Sequence, residues 1–290
     1  MKKVLILKND RVGDYFTSVN SINLIINKHK DRDIIVFLSK INFKFNFIFK
    51  ELKIKIFNYN LNVLEKIKII NYLIFNNISD IYILAPKNFY YILPFLFRRI
   101  KFHAVCIDSD RNRPTNFLKK FLFNKETLYR RDNSKILSVY KVLENLINYK
   151  NKIVNYKNLK FNEFVFFEFP KNATYFHYKH NLFSEKLLWD NMKIKNFIEF
   201  LAKKRKFIVF SSELDNSKKN NFFLQNFNSY DFKQKKYNKI NNQNILFLDN
   251  LEGNNLVHSI SLCDDVIAPE SGITHIGSFL KKKNFSFNAF

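Results

Sequence analysis

The residues best suited to chemistry lie in a short turn late in the chain. A β-branched strand pattern at 266–268 stops at Pro269, and an apolar helical pattern starts a few residues later. Such a turn directs several backbone N–H groups and the positive end of a helix dipole at one point, which suits a phosphate group. The alternative is an ordinary strand–turn–helix connection that binds nothing. The polar or small residues around this point are Glu270, Ser271, Gly272, Thr274 and His275.

A second turn of the same kind follows the first predicted strand, at 4–7. Its polar loop contains Arg11, Gly13 and Asp14, and a helical pattern is predicted at 15–28. The chain has 4 glycines, whereas an average chain of this length has about 20. Sparse glycine indicates positions where a Cβ atom is not tolerated. Asp14 stands directly before the predicted helix, so one interpretation is that it is the N-cap residue.

Three more polar segments follow predicted strands. Arg111 and Arg113 lie in the segment 108–116, Lys186 lies in 178–188, and Glu213 lies in 211–215. In open α/β sheets, ligands bind beyond the carboxyl ends of the strands. These side chains are therefore candidates for ligand contacts, although a lysine in so basic a chain can equally be a solvated surface residue.

The elements that must position these turns alternate between strands and helices. This alternation predicts βαβ units and parallel sheets, that is, an α/β fold. A segment rich in Asn and Lys at 148–162 is the predicted linker. We expect domains at 1–155 and 156–290, with their polar turns facing a cleft. The remaining predicted strands are 34–38, 53–57, 81–84, 104–107, 173–177, 207–210, 245–248 and 284–290.

Composition limits the function classes. The 290 residues are 47% hydrophobic and carry a net charge of +24. Lys, Asn, Ile, Phe and Tyr are favoured, and all have A/T-rich codons, so genome composition explains much of the charge. The basic residues are scattered, so no nucleic-acid partner is expected, and attraction to an anionic membrane surface is the better expectation.

Cysteine use and apolar runs indicate the compartment. Cys106 and Cys263 are far apart and form no metal-binding motif, which suggests two buried free thiols in a reducing environment. The first apolar run has four residues before Lys8, too few for a signal peptide, and the run at 89–97 is too short to span a bilayer. We expect a cytoplasmic protein, peripheral on the inner membrane at most.

Three segments, in order, resemble the glycosyltransferases of family nine, the ADP-heptose:lipopolysaccharide heptosyltransferases. The first, 4–14, is similar to that family's opening strand and Gly-Asp turn. The second, Lys186 with Trp189 and then Ser211-Ser212-Glu213, is similar to its Lys-x-Trp segment and Thr-Gly-Gly-type turn. The third runs from 248–253 to 270–275 and is similar to its Leu-x-Gly and Asp-Ser/Thr-Gly-Pro-Met-His pattern.

The resemblance implies a GT-B fold, in which two Rossmann-like domains with parallel sheets face an interdomain cleft. The N-terminal domain would bind the acceptor and the C-terminal domain the nucleotide-sugar. The implied reaction is an inverting transfer of a heptose-like sugar from a nucleotide-diphosphate donor, ADP-linked, to lipopolysaccharide or another envelope glycan. It implies neither a metal nor a cofactor. Relative to that family, the closing segment of this chain is expected to be short or missing.

The resemblance also implies roles for individual residues. Asp14 would be the base that deprotonates the acceptor hydroxyl. The backbone N–H groups of Ser271 and Gly272, with Lys186, would stabilise the diphosphate. The implied donor site comprises Lys186, Glu213, Glu270, Ser271, Gly272, Thr274 and His275, and the implied acceptor loops contain Arg11, Gly13, Arg111 and Arg113.

Departures from the family pattern keep two alternatives open. Glu270 stands where the family has Asp, and Ile273-Thr274 replaces Pro-Met. A catalytically inactive protein of the same fold that binds a glycan or nucleotide is the first alternative. A basic α/β protein that binds nucleic acid is the second. For His275, the alternative to a donor contact is a histidine whose hydrogen bonds are satisfied in the core.

Overall fold

The computed structural model describes residues 2–49, 52–108, 125–130, 159–161, 168–178, 190–211, 217–241, 243–251, 253–269 and 271–287. By contacts the chain divides into two compact units, Met1–Lys157 and Asn158–Phe290. We call them the first and the second unit and consider each by itself.

The first unit is built on a parallel sheet. The strands described in it are β1 (Lys3–Lys8), β2 (Asp33–Leu38), β3 (Lys53–Ile56), β4 (Ile78–Ile83), β5 (Lys101–Asp108) and β6 (Lys125–Arg130). The helices described in it are α1 (Val12–Lys28), α2 (Lys40–Phe43), α3 (Val63–Phe75) and α4 (Asn88–Leu96), with a 3-10 turn at Asn46–Phe49. The strand order is β3-β2-β1-β4-β5-β6, with every pair parallel.

The central strand β1 explains why this sheet forms. Its residues Val4, Leu5, Ile6 and Leu7 are all fully buried, as expected for a parallel strand that is covered on both faces. On one face, α3 and α4 pack against the odd-numbered side chains of β1 and β4. The strand order reverses between β1 and β4, and ligands bind at such a switch point, beyond the carboxyl ends of the strands.

The second unit has its own sheet and an aromatic core. The described strands are β7 (Ala173–Phe176), β8 (Phe207–Ser211), β9 (Asn228–Asp231), β10 (Lys236–Asn238), β11 (Ile245–Asp249), β12 (Asp265–Pro269) and β13 (Lys283–Phe287). The described helices are α5 (Asn191–Lys204), α6 (Ser217–Asn226), α7 (Gly253–Leu262) and α8 (Gly272–Phe279). The order is β10-β9-β11-β8-β7-β12-β13, and only the β9–β10 pair is antiparallel. The switch point lies between β7 and β12.

The predicted alternation of strands and helices is confirmed, but several boundaries differ. Helix α1 begins at Val12 rather than at 15. Helix α5 begins at Asn191 rather than near 195, because the Asp190 side chain caps it by accepting from Lys193 N at 2.7 Å. Strands β6, β9 and β10 were not predicted, since their polar sequences have no apolar alternation and pairing with a neighbouring strand decides their conformation.

The glycine interpretation is only partly right. No glycine in the described residues has a positive φ, and Asn172, Lys235, Asn250 and Lys281 occupy that region instead. Gly277 is needed for a different reason. A Cβ atom on it would lie 2.2 Å from Asn284 Oδ1 and 3.2 Å from Val266 Cγ2, so this glycine allows α8 to pack closely on the sheet.

A cluster of buried titratable groups lies near the amino ends of β4 and β5, at the edge opposite the switch point. Asp80 accepts from Arg32 Nη1 at 2.9 Å and pairs with His103 Nε2 at 3.2 Å. His29 Nε2 lies 2.9 Å from Tyr82 OH. Burial lowers the pKa of His29 to about 4, so its ring is neutral at pH 7.

Two predictions about the chain as a whole concern cysteine and membrane segments. Cys263 is a free, buried thiol as predicted, whereas the side chain of Cys106 lies outside the described part. Within the described ranges, no helix has the length and apolar character needed to cross a bilayer.

Candidate functional site

A buried ion pair lies at the carboxyl end of β1. Lys8 is only 1% exposed, and its Nζ donates to Asp10 Oδ2 at 2.6 Å and to the Leu84 carbonyl oxygen at 3.3 Å. Burial raises the pKa of Asp10 more than the neighbouring Lys8 ammonium lowers it, and the Asp14 carboxylate raises it further. The loop after β1 is therefore tied to the loop after β4, and Asp14 is electrostatically close to Asp10.

Further hydrogen bonds join the segments that follow β1, β2, β3 and β4 in the first unit. Asn9 Nδ2 donates to the Asn58 carbonyl oxygen at 2.9 Å, and Tyr90 OH donates to Asn9 Oδ1 at 2.7 Å. Asn42 Nδ2 donates to the Asp10 carbonyl oxygen, also at 2.9 Å. We call these side chains, with Lys8 and Asp10, the loop network. It holds the backbone that leads into α1 in one position.

Asp14 is exposed and belongs to the first turn of α1. The N-cap residue is Arg11, so the interpretation of Asp14 as N-cap is wrong. No side chain caps this helix end. The Asp14 carbonyl oxygen accepts from Thr17 Oγ1 and Ser18 Oγ, both at 2.9 Å, and within the described residues its carboxylate has no hydrogen-bond or ion-pair partner. A carboxylate so placed can accept a proton from a bound molecule.

Sequence reasoning missed Tyr59 and Lys87, which lie beside Arg11. The Arg11 guanidinium is 5.8 Å from the centre of the Tyr59 ring, and Lys87 Nζ is 4.2 Å from it and donates to the Tyr59 carbonyl oxygen. Burial lowers the pKa of Lys87. Both residues follow the carboxyl ends of predicted strands, which is the signal that could have found them. Gly13 is half-buried in the same helix turn.

In the second unit, the turn after β12 lies at the switch point. The backbone N–H of His177, at the end of β7, donates to the Ile267 carbonyl oxygen at 2.9 Å. Ser271 is the N-cap of α8, and its Oγ accepts from Ile273 N at 3.3 Å. Thr274 Oγ1 accepts from Ser271 N at 3.2 Å and donates to the Ser271 carbonyl oxygen at 2.7 Å.

This capping arrangement corrects one expectation and refines another. The N–H of Ser271 was expected to point freely at a ligand, but it donates to Thr274 Oγ1 instead. The Thr274 hydroxyl has used its one proton within the cap. Gly272 and His275 are half-exposed at this helix end, and among the described residues neither has a hydrogen-bond partner outside the helix. Because it is half-exposed, His275 is not buried in the core.

Several predicted site residues lie outside the described residues. These are Arg111, Arg113, Lys186, Glu213 and Glu270, together with Trp189 of the resembling motif. Within the described ranges, no group of three or more His, Cys, Asp or Glu side chains is placed to hold a metal ion.

No protein-family model matches this chain, and no curated protein sequence matches it. Solved structures, in contrast, match nearly all of it. The family 9 glycosyl transferase from Veillonella parvula matches with a TM-score of 0.68 and 11% identity, covering 99% of this chain and 81% of that one. The E. coli ADP-heptose LPS heptosyltransferase II matches with a TM-score of 0.63 and 13% identity, covering 98% and 83%.

The fold is shared with another enzyme class as well. The UDP-GlcNAc 2-epimerase from Methanocaldococcus jannaschii matches with a TM-score of 0.55 and 15% identity, covering 99% of this chain and 83% of that one. Similarity at this level of identity establishes the architecture of the chain rather than its reaction. The predicted GT-B fold is thereby confirmed, and the chain has the fold of the family 9 glycosyltransferases and heptosyltransferases that its motifs resemble.

Proposed function

We propose that this protein is an inverting, metal-independent glycosyltransferase of the family 9 type. It moves a heptose-like sugar from an ADP-linked donor to lipopolysaccharide or another envelope glycan. The observation that carries the proposal is that the two motif turns, 11–14 and 271–275, both start helices at the carboxyl edge of a parallel sheet, next to its switch point. The fold similarity to a glycosyl transferase and a heptosyltransferase supports the same reaction class.

On the acceptor side, Asp14 is the base. Its exposed carboxylate takes the proton from an acceptor hydroxyl while the oxygen forms a bond to the anomeric carbon. The nucleoside diphosphate leaves from the opposite face of the sugar and takes the electron pair of the broken C–O bond. Arg11 and Lys87, which both contact Tyr59, place positive charge near the helix end that carries Asp14.

On the donor side, the N-terminus of α8 stabilises the charge of the leaving diphosphate. The helix dipole and the Gly272 N–H act there, and His275 adds a ring nitrogen. Lys186, Glu213 and Glu270 complete the donor site in this proposal, and Arg111 and Arg113 join the acceptor loops. Ser271 and Thr274 act by holding the helix end in shape rather than by direct contact. The protein works in the cytoplasm, peripheral on the inner membrane, where a lipid-linked acceptor is accessible.

Nucleotide binding is the first test. We expect calorimetric titration with ADP, UDP, GDP and CMP, without metal and then with magnesium, to show metal-independent binding of ADP. Gly272→Val should abolish this binding because its side chain covers the helix N-terminus, while an unchanged circular dichroism spectrum shows that the protein still folds. Preference for UDP would instead favour a UDP-sugar enzyme, and no binding would contradict the donor site.

The base is tested separately. Asp14→Asn should abolish sugar transfer but leave ADP binding within about twofold, since the amide keeps the size of the side chain and cannot take the proton. Asp31→Asn, which changes a carboxylate that is 81% exposed and lies three residues beyond the end of α1, is the matched control and should transfer sugar normally. If Asp14→Asn transfers sugar as fast as the wild type, Asp14 is not the base. If the wild type binds donor but never consumes it, the inactive binding protein is the correct account.

A further inference from the structure

Helix α3 has an apolar outer side. Its inner side packs into the core of the first unit through Ile69 and Leu73. A surface helix normally carries polar residues opposite its core side, yet here Leu64 is 68% exposed and Phe75 is 82% exposed. The exposed apolar residues of α3 are Val63, Leu64, Ile67, Ile74 and Phe75.

Helix α4 extends this apolar surface. It packs on the same face of the sheet as α3, because Tyr90, Tyr91 and Leu93 belong to the same core cluster as Ile69 and Leu73. The two helices are close neighbours, since Lys66 Nζ lies 5.9 Å from the centre of the Phe89 ring. The exposed apolar residues of α4 are Ile92, Phe95 and Leu96. Together with those of α3 they form what we call the α3–α4 surface.

The charges around this surface are positive. Lys68, Arg98 and Arg99 are exposed. Helix α4 contains no acidic residue. The one acid of α3, Glu65, is already hydrogen-bonded, because its two oxygens accept from the N–H groups of Asn58 at 2.7 Å and Asn62 at 3.1 Å. The α3–α4 surface is thus apolar with a cationic border, on a chain of net charge +24.

An open cavity of about 550 Å³ lies at the C-terminal end of α3. Lys55 and Lys68 line it together with Tyr72 and Phe75, and Lys55 Nζ lies 4.2 Å from the centre of the Tyr72 ring. The acid whose charge acts on Tyr72, Asp33, is paired with Lys53 at 3.0 Å. Two ammonium groups beside a cavity that Ile56, Phe57, Tyr72 and Phe75 also line suit a phosphate that is attached to a hydrocarbon body.

We infer that the α3–α4 surface docks on a bilayer that contains anionic phospholipid. The exposed Leu, Ile and Phe side chains enter the boundary between headgroups and acyl chains, and the lysines and arginines contact headgroup phosphates. Charge complementarity selects this occupant over an uncharged apolar partner. The inference rests on the proposed function, because docking on the membrane would bring the enzyme to a lipid-linked acceptor.

Vesicle flotation of the full chain tests the inference. We expect binding to phosphatidylglycerol vesicles that weakens as salt rises, and no binding to phosphatidylcholine vesicles. A variant with Leu64→Ser, Ile67→Ser and Phe75→Ser should bind at least about tenfold more weakly, because three apolar side chains no longer enter the lipid. The matched control is Met192→Ser with Phe200→Ser in α5, where both side chains are 53% exposed, and it should bind like the wild type.

A charge variant separates the two contributions. Lys68→Glu should weaken vesicle binding about tenfold or more at low salt and less at high salt, whereas Lys204→Glu, an exposed residue of α5, should have no effect of that size. Equal binding by the wild type and the triple variant would overturn the inference, and so would failure of the wild type to bind anionic vesicles. If sedimentation instead shows a dimer that the triple variant dissociates, a second copy covers this surface and the inference is wrong.

The outcome is separable from that of the proposed function. Vesicle binding needs no nucleotide, and calorimetry with ADP needs no vesicle. The triple variant changes exposed side chains far in sequence from both motif turns, so it should bind ADP like the wild type. If the wild type binds anionic vesicles but does not bind ADP, only the proposed function is contradicted.

Discussion

The two motif turns begin helices at the same place in their sheets, but they are held in different ways. The turn at the start of α1 has no side-chain cap, and its position comes from the loop network. Except for the neighbouring Lys8–Asp10 pair, the bonds of this network join residues that are 32 to 81 positions apart. The turn at the start of α8 is capped by Ser271 and Thr274, which bond to each other across three residues.

This difference separates two ways of presenting a helix end. At α1 the backbone N–H groups stay uncapped while distant side chains fix the loop, so the end is both rigid and open. At α8 the cap is local, so it stabilises the helix but occupies the Ser271 N–H. If the comparison is correct, disrupting the loop network should cost far more stability than disrupting the α8 cap.

The largest expected effect comes from Lys8→Met. Removing one partner of a buried ion pair leaves the Asp10 carboxylate without its counter-ion and costs about 3–5 kcal/mol. Urea denaturation, which measures the free energy of unfolding, should show this loss at pH 7. The double variant with Asp10→Asn should recover much of it, since no buried charge remains. A loss below about 1 kcal/mol would mean that the loop network does not hold the turn.

The pH dependence sharpens this test. Burial already raises the Asp10 pKa above its ordinary value of 3.8, and without Lys8 it should rise further. A carboxyl group with a raised pKa binds its proton more tightly in the folded state, so folding gains stability as the pH falls through that pKa. The deficit of Lys8→Met relative to the wild type should therefore shrink between pH 7 and pH 5. A constant deficit would indicate lost packing rather than an unpaired charge.

Gly277→Ala tests whether α8 depends on anything beyond its own cap. The new methyl group would meet Asn284 Oδ1 and Val266 Cγ2, and such overpacking costs about 1–3 kcal/mol, partly offset by a gain of about 1 kcal/mol in helix propensity. We expect a net loss of about 1 kcal/mol in thermal or urea unfolding. Combination with Asn284→Ala should remove most of it, and an unchanged loss would contradict the packing account.

A smaller effect, about 1 kcal/mol or somewhat less, is expected from Ser271→Ala, which removes the side chain that caps α8. The loss should not vary between pH 5 and pH 7, in contrast to Lys8→Met. Ser261→Ala, where the hydroxyl donates only to the His258 carbonyl oxygen within one turn, is the matched control. If the two variants lose the same free energy of unfolding, the cap stabilises α8 no more than an ordinary hydroxyl hydrogen bond within a helix does.

The smallest effect should come from adding a cap where none exists. Arg11→Asn places a good N-cap residue on α1 and should stabilise it by about 0.5 kcal/mol or less, because the lost contact with Tyr59 offsets part of the gain. A differential scanning experiment can detect the shift. A clear destabilisation would mean that Arg11 itself belongs to the contacts that hold the turn.

The sequence was informative wherever structure depends on neighbours along the chain. The buried strands β1 and β12 and the helices after them follow from apolar patterns, whereas the cap that Ser271 and Thr274 form on α8 was not predicted. Sequence reasoning placed Asp14 at the start of α1. The predicted helix start, at 15, was three residues too late, because Val12 and Gly13 have no distinctive capping pattern.

The tertiary structure alone decided which distant residues meet. Lys8 and Asp10 are charged residues at the end of β1 and in the loop after it, yet the return of the chain through β2, β3 and β4 buries them and makes them an ion pair. Tyr59 and Lys87 come beside Arg11 for the same reason. The α3–α4 surface also depends on the fold, because an apolar helix pattern does not state which of its sides the sheet will cover. Local sequence determines the elements through short-range sterics and periodicity, whereas burial is a property of the assembled layers.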